Sequence, residues 1–129
     1  MMSQANVDPV AHPLKAALER HDFAALTELL APDVRWGGDE DTDETCHTRE
    51  EVLRWFRGLG TRGITARVHE LIVERDAVIA GLTIDWSAVP EWSARSPTRY
   101  QVYRVRGGQV VDIRGYPERA GALASVAKA

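Results

Sequence analysis

The sequence predicts an α+β fold in which helices come first and a β-sheet follows. A helical repeat of apolar residues runs through 48–59, and a nearly continuous apolar run at 77–87 is typical of a buried strand. Gly107-Gly108 separates two alternating segments, which is a strong two-residue hairpin signal. With 129 residues, of which 44% are hydrophobic, the chain has the size and composition of one globular domain.

The N-terminal region predicts a leader and then a helix. We expect residues 1–8 to form a flexible leader and residues 9–125 to fold as a single domain. The first helix is expected to begin at the Asp-Pro step of residues 8–9 or the His-Pro step of residues 12–13. Proline is tolerated there because an N–H in the first turn has no partner within the helix.

Two more helices and a short strand are expected before the sheet. Asp22 is the predicted N-cap of the second helix, which Pro32 ends, and residues 34–36 form a short strand. Thr48 and Glu51 form a capping box at the start of the third helix, because each can satisfy a backbone N–H that lacks a partner.

The second half of the chain predicts four consecutive strands. They are expected near 64–74, 77–87, 98–106 and 109–116. The apolar alternation of the first of these changes phase near residues 69–70, which predicts a β-bulge.

The two-residue turn of the last hairpin also predicts its register. An unbroken ladder places Val111 opposite Arg104 and Gly115 opposite Tyr100. This face is the more apolar one, so we assign it to the helix-facing side of the sheet. Arg104 then becomes an inward cation, and Asp112 points away from it.

Composition excludes several function classes. The formal net charge of −3, with arginines scattered among acids, argues against a nucleic-acid partner. The single cysteine, Cys46, has no internal disulfide partner, which favours a reducing compartment. The chain has neither an apolar run of about 18 residues nor a secretory signal pattern, so we expect a cytoplasmic protein without a membrane partner. Cys46-His47 has no second pair at ligand spacing, so we expect no metal and no cofactor.

The order of predicted elements, together with three stretches, resembles the SnoaL-like branch of the nuclear transport factor 2-like superfamily. The stretches are residues 21–34, 46–52 and 108–123. The resemblance implies a cone in which a curved antiparallel sheet wraps around three N-terminal helices, with a short C-terminal helix or tail. It does not imply one function, because this fold hosts unrelated activities.

The resemblance implies several candidate chemistries. Ketosteroid isomerases have a tyrosine and an aspartate at positions that fall here on Leu14 and Gly38, so both groups are absent, although Asp39 is adjacent. Cyclase-like members place an acid just after the last strand, where this chain has Glu118. Glu118 is therefore one candidate general base, and Asp39 is another. Alternatively, Glu118 only complements the dipole of a following helix.

Epoxide hydrolases of this superfamily use an Asp-Arg-Asp relay that positions a water. The residues that approximate such a relay here are Asp85, Arg104 and Asp112. In the predicted register Asp112 points away from Arg104, so the fit is poor.

Aromatic residues predict a ligand pocket. Four tryptophans are more than a small core needs, and large flat side chains suit an apolar or aromatic ligand. The predicted pocket residues are Trp36, Trp55, Trp86, Tyr100 and Arg104. Core or interface packing is the alternative for each aromatic residue.

Three functions remain open at this point. The first is a cyclase, isomerase or hydrolase that acts on a small cyclic or polyketide-like compound. The second is a non-catalytic ligand binder. The third is a scaffold that dimerises through the outer sheet face, and we expect a homodimer of this kind in any case. The enzyme requires a buried carboxylate or histidine among Glu118, Asp39, Asp85 and His47.

Overall fold

The computed structural model describes residues 7–127, which contain four α-helices and five β-strands. The helices are α1 (Asp8–Arg20), α2 (Phe23–Leu29), α3 (Arg49–Thr61) and α4 (Arg119–Ala127). The strands are β1 (Leu30–Gly37), β2 (Thr65–Glu74), β3 (Ala77–Asp85), β4 (Thr98–Arg106) and β5 (Gln109–Tyr116). The predicted α+β cone is confirmed.

The helix starts follow the capping residues. The side chain of Asp22 accepts the N–H of Ala25 at 3.1 Å, and that of Thr48 accepts the N–H of Glu51 at 3.2 Å. Glu51 in turn accepts the N–H of His47 at 2.7 Å, so its carboxylate reaches one residue beyond the predicted partner.

The N-terminal boundary is partly described. Residues 1–6 of the predicted leader lie outside the described residues. Val7 is fully buried in the main core, and Asp8 is the first residue of α1. Val7 is therefore packed and Asp8 is helical, and the boundary between leader and domain stays a prediction.

The strands form one sheet in the order β1-β5-β4-β3-β2. Three neighbouring pairs are antiparallel, as predicted, and β1 runs parallel to β5, so the sheet is mixed at one edge. The predicted bulge in β2 is confirmed, because the register with β3 shifts between Val68 and Glu70.

Helices cover both faces of the sheet. The first three helices pack on the inner face, and the main core contains buried residues of β3, β4 and β5 such as Ala80, Tyr103 and Ile113. On the outer face a smaller core joins Ile79 and Val102 to buried residues of α4. Each strand therefore buries one side in the main core, and the strands under α4 also bury part of the other.

The predicted register of the last hairpin is wrong beyond its first two pairs. Val111 is an extra residue in β5, so Arg104 lies opposite Asp112 and Tyr100 opposite Tyr116. The face assignment is also wrong, because Arg104 and Tyr100 lie on the α4 side rather than on the side of the first three helices.

The β5 bulge has a clear physical reason. Without it, Asp112 and Arg114 would share the inward face of Val110, which is completely buried. Burying two charges in an apolar core is costly. The extra residue keeps Val110 and Ile113 inside and turns both charged side chains to the outer face.

A buried polar pair lies on the inner face of β4. The Tyr103 hydroxyl donates to the side-chain carbonyl of Gln101, and both residues are buried. Burial raises the pKa of Tyr103 far above its ordinary value. The hydroxyl therefore stays protonated and remains a donor for Gln101.

We expect Tyr103→Phe to lower the free energy of unfolding by about 1–3 kcal/mol, because it leaves the buried Gln101 carbonyl without its donor. The double variant Gln101→Leu/Tyr103→Phe removes both polar groups, so its free energy of unfolding is expected to fall by less than that of the single variant. Urea denaturation measures both. A double variant less stable than Tyr103→Phe would contradict this account.

Candidate functional site

A cavity of about 510 Å³ lies between the outer face of the sheet and α4. Its walls combine charged and small residues. They are Asp39, Val102, Arg104, Asp112, Arg114, Tyr116, Gly121, Ala124 and Ser125. The β5 bulge builds this site, because it places Asp112 and Arg114 on the outer face.

Asp112 is the carboxylate at the centre of the cavity wall. Its Oδ2 accepts Nε of Arg114 at 3.1 Å, and its side chain is only 18% exposed. Arg35 lies opposite it on the parallel strand β1, with Nη1 3.7 Å from Oδ1. That distance is too long for a hydrogen bond, and the buried Nη1 has no hydrogen-bond partner in the described structure.

Arg114 lies between two carboxylates. Its Nη1 donates to Oδ1 of Asp39 at 3.0 Å, while Nε donates to Asp112. Burial acts to lower the pKa of Arg114, but the charges and hydrogen bonds of Asp112 and Asp39 outweigh it, so this pKa is raised. The series Asp112–Arg114–Asp39 is thus a hydrogen-bonded Asp-Arg-Asp arrangement.

Arg104 ties α4 to the sheet at the edge of the cavity. Its Nη1 donates to Asp76 and its Nη2 to the backbone carbonyl of Ser125 in α4, both at 2.9 Å. A cation near the last turn of a helix also complements the helix dipole. The inward cation expected from the sequence is therefore a structural clamp on the outer face.

The predicted pocket aromatics lie in three places. Trp36 and Trp55 pack edge to face with centroids 6.4 Å apart, and Trp86 packs in the same way on Trp92 at 6.0 Å. Tyr100 lies on the outer face, 5.8 Å from the ring of His69. The structure therefore does not bring the four predicted aromatics together.

Two of the five predicted pocket residues line one of the two cavities described here. Arg104 lines the cavity beside α4. Trp55, which is 47% exposed, lines a second cavity of about 310 Å³ along α3.

The candidate general bases are exposed. Glu118 lies before α4, where its backbone carbonyl accepts the N–H of Ala122 at 3.3 Å. Asp39 is 80% exposed at the rim of the cavity, and His47 is exposed beside Asp41. Asp85 is exposed too, and hydrogen bonds from Ser87 lower its pKa. None of the four has the buried setting that raises the pKa of a catalytic carboxylate.

The described residues contain no group of histidine, cysteine and acidic side chains arranged to hold a metal ion. Cys46 is partly buried, and burial raises the pKa of its thiol, so the thiol stays protonated at neutral pH.

In the described part of the chain, no helix has the length and apolar character required to cross a membrane.

Sequence reasoning missed Arg114, Arg35 and Tyr116 as site residues. Asp112 and Arg114, two positions apart on one strand, necessarily share a face, and this spacing was a usable signal. Arg35 offered no comparable signal, because its position beside Asp112 depends on the parallel pairing of β1 with β5.

Comparison with known families agrees with this architecture. The model of the SnoaL-like domain matches residues 13–113. The chain belongs to this family. A search of curated proteins finds no match.

Solved structures share the fold at low sequence identity. A proposed ketosteroid isomerase from Kribbella flavida is 17% identical with a TM-score of 0.70, over 92% of this chain and 83% of that one. A proposed polyketide cyclase from Sinorhizobium meliloti is 18% identical with a TM-score of 0.68, over 86% and 98%. An LEH-like epoxide hydrolase from M. tuberculosis is 14% identical with a TM-score of 0.63, over 96% and 91%. At these identities the likeness shows the fold alone.

We expect Asp112→Asn to lower the free energy of unfolding by about 1–2 kcal/mol, because Arg114 and Arg35 lose their shared counter-charge and Arg114 is only partly screened by solvent. The matched control Asp39→Asn removes the exposed carboxylate and should change the free energy of unfolding by less than about 0.5 kcal/mol. Chemical denaturation at low salt compares the two. Equal effects would mean that Asp112 is not the central carboxylate.

Proposed function

We propose that this SnoaL-like chain binds a small molecule in the cavity between the sheet and α4. One observation carries the proposal: a cavity of about 510 Å³ has polar groups on one wall and small residues of α4 on the other. Small-molecule sites commonly have volumes of about 300–1,000 Å³ and a few oriented polar groups.

The polar groups suit a ligand with hydrogen-bond-accepting oxygens. Arg114 uses Nε and Nη1 on its two carboxylates, and Arg104 uses both terminal nitrogens on Asp76 and Ser125. Nη2 of Arg114 and the hydroxyl of Tyr116 have no partner in the described part of the chain, so they remain as donors. Val102 and Ala124 add apolar surface. A small cyclic or polyketide-like carbonyl compound fits this combination.

The geometry favours binding over acid–base catalysis by the predicted bases. Glu118, Asp39, Asp85 and His47 are all exposed. A general base near neutral pH needs a shifted pKa, which burial usually provides. We therefore propose a binding protein without chemistry at those four groups.

The proposal includes a homodimer in the cytoplasm that forms through the outer sheet face. α4 covers this face over β3 and β4, where Ile79 and Val102 are buried. His69 and Thr83, which share a 2.9 Å hydrogen bond, lie at least partly exposed and are available for contact with a second copy.

Ala124→Trp tests the cavity, because Ala124 is exposed on α4 and points a small side chain into the site. We expect small cyclic ketones to cause saturable shifts in the amide NMR signals of residues 102–116 and 121–125. Ala124→Trp should abolish these shifts by filling the cavity. The control Ala120→Trp, exposed on the same helix outside the cavity, should retain them. Equal binding by both variants would refute the proposed site.

A second candidate function, epoxide hydrolysis, is favoured by the Asp112–Arg114–Asp39 series. In this series the half-buried Asp112 would position the water that opens the ring, so epoxide and water give a diol. If this holds, a small cyclic epoxide is converted to diol at a rate that falls at least about tenfold in Asp112→Asn. If the wild-type protein forms no diol but still binds the ligand, epoxide hydrolysis is refuted and the binding function remains.

A further inference from the structure

Two tryptophans form a rigid platform in the connection between β3 and β4. The rings of Trp86 and Trp92 pack edge to face with centroids 6.0 Å apart and planes at 86°. Nε1 of Trp86 donates to the backbone carbonyl of Ser96 at 2.9 Å. Both rings also pack against the main core. The core contacts and the hydrogen bond to Ser96 therefore fix the position of the two rings.

Two arginines lie on this platform. The guanidinium carbon of Arg95 is 4.6 Å from the ring centroid of Trp92 and 5.2 Å from that of Trp86. The guanidinium carbon of Arg62, just after α3, is 5.0 Å from the ring of Trp92. We call Arg62, Trp86, Trp92 and Arg95 the Arg–Trp cluster. A guanidinium held over an aromatic ring by cation–π attraction keeps N–H groups that can still donate to a ligand.

These two arginines differ from four others that are paired with carboxylates. Four arginines have a carboxylate oxygen within 3.0 Å: Arg35, Arg104, Arg114 and Arg119. Within the described residues, Arg62 and Arg95 have no ion pair and lie over aromatic rings, as Arg57 does over Phe23. Within the described residues, the cluster therefore presents two positive charges that are not ion-paired with a carboxylate.

Such an arrangement favours an anion. Two like charges held near one ring repel each other, and a bound oxyanion lowers that repulsion. The edge of a guanidinium matches the geometry of carboxylate and phosphate, with two parallel hydrogen bonds. Because the ring contacts already restrain both side chains, less conformational entropy is lost when a ligand binds.

A cavity with both apolar and charged walls adjoins Arg62. Arg62 also lines the cavity of about 310 Å³ along α3, whose wall combines Trp55, Gly58 and Leu59 with Arg54 and the acids Asp43, Glu44 and Glu51. A ligand held by its oxyanion at Arg62 has room there for an apolar body. We infer that the Arg–Trp cluster is a second ligand site, separate from the cavity beside α4, and that it binds the carboxylate or phosphate of a small organic acid.

The test uses three probes on the ¹⁵N-labelled full chain. Benzoate and inorganic phosphate carry the oxyanion with and without a ring, and benzamide carries the ring without the charge. We expect saturable shifts of the indole N–H signals of Trp86 and Trp92 with benzoate, with phosphate, or with both. The two oxyanion arms distinguish a carboxylate site from a phosphate site. Equal shifts with benzamide, or shifts that never saturate, would overturn the inference.

Variants assign the binding to the cluster. Arg95→Gln and Arg62→Gln should each weaken oxyanion binding by about tenfold, because each removes charge-assisted hydrogen bonds. Arg95→Lys keeps the positive charge but replaces the planar guanidinium, so it should weaken oxyanion binding less than Arg95→Gln does. The control Arg106→Gln, exposed at the end of β4, should have no effect. An equal loss in the control would show non-specific attraction and overturn the site.

The two proposed sites are independent in this experiment. Ala124→Trp fills the cavity beside α4, and none of the four cluster residues lines that cavity. Oxyanion binding should therefore be unchanged in Ala124→Trp. Loss of oxyanion binding in that variant would show that the probe occupies the α4 cavity, and would overturn the second site while leaving the first.

Discussion

The arrangement of this protein depends on keeping two charged residues of β5 out of its core. Asp112 and Arg114 follow Val110 at alternate positions, and Val110 is completely buried. A regular strand would bury all three on one face. The extra residue Val111 reverses the faces at this point. Arg35, Asp39 and the wall beside α4 then assemble around the displaced charges, so one inserted residue creates the polar side of the cavity.

Much of the fold could be predicted from local signals. Caps at Asp22 and Thr48 set two helix starts, and Gly107-Gly108 set the last turn. The β2 bulge was visible because its apolar alternation changes phase. The β5 bulge was hidden, because Val110 and Val111 are consecutive valines and either one satisfies the inward position. A register read from the turn is valid only as far as the first irregularity.

The candidate site was harder to predict, because it depends on contacts between distant segments. Arg35 reaches Asp112 only through the parallel pairing of β1 and β5, which no local pattern encodes. Four tryptophans indicated a single pocket, yet Trp36 and Trp86 belong to different clusters. Composition gives the number of aromatic rings, whereas their grouping follows from which strand ends and loops meet in space.

The attachment of α4 has a consequence for how the cavity would bind. The helix is a wall of the site and is held at its last turn by Arg104, through the carbonyl of Ser125. Only molecules with α4 docked present the complete cavity, so the apparent dissociation constant equals the intrinsic one divided by the docked fraction. Affinity and helix docking are thus thermodynamically linked. A bound ligand would favour the docked helix, and substitutions in α4 would change the affinity even at positions that do not contact the ligand.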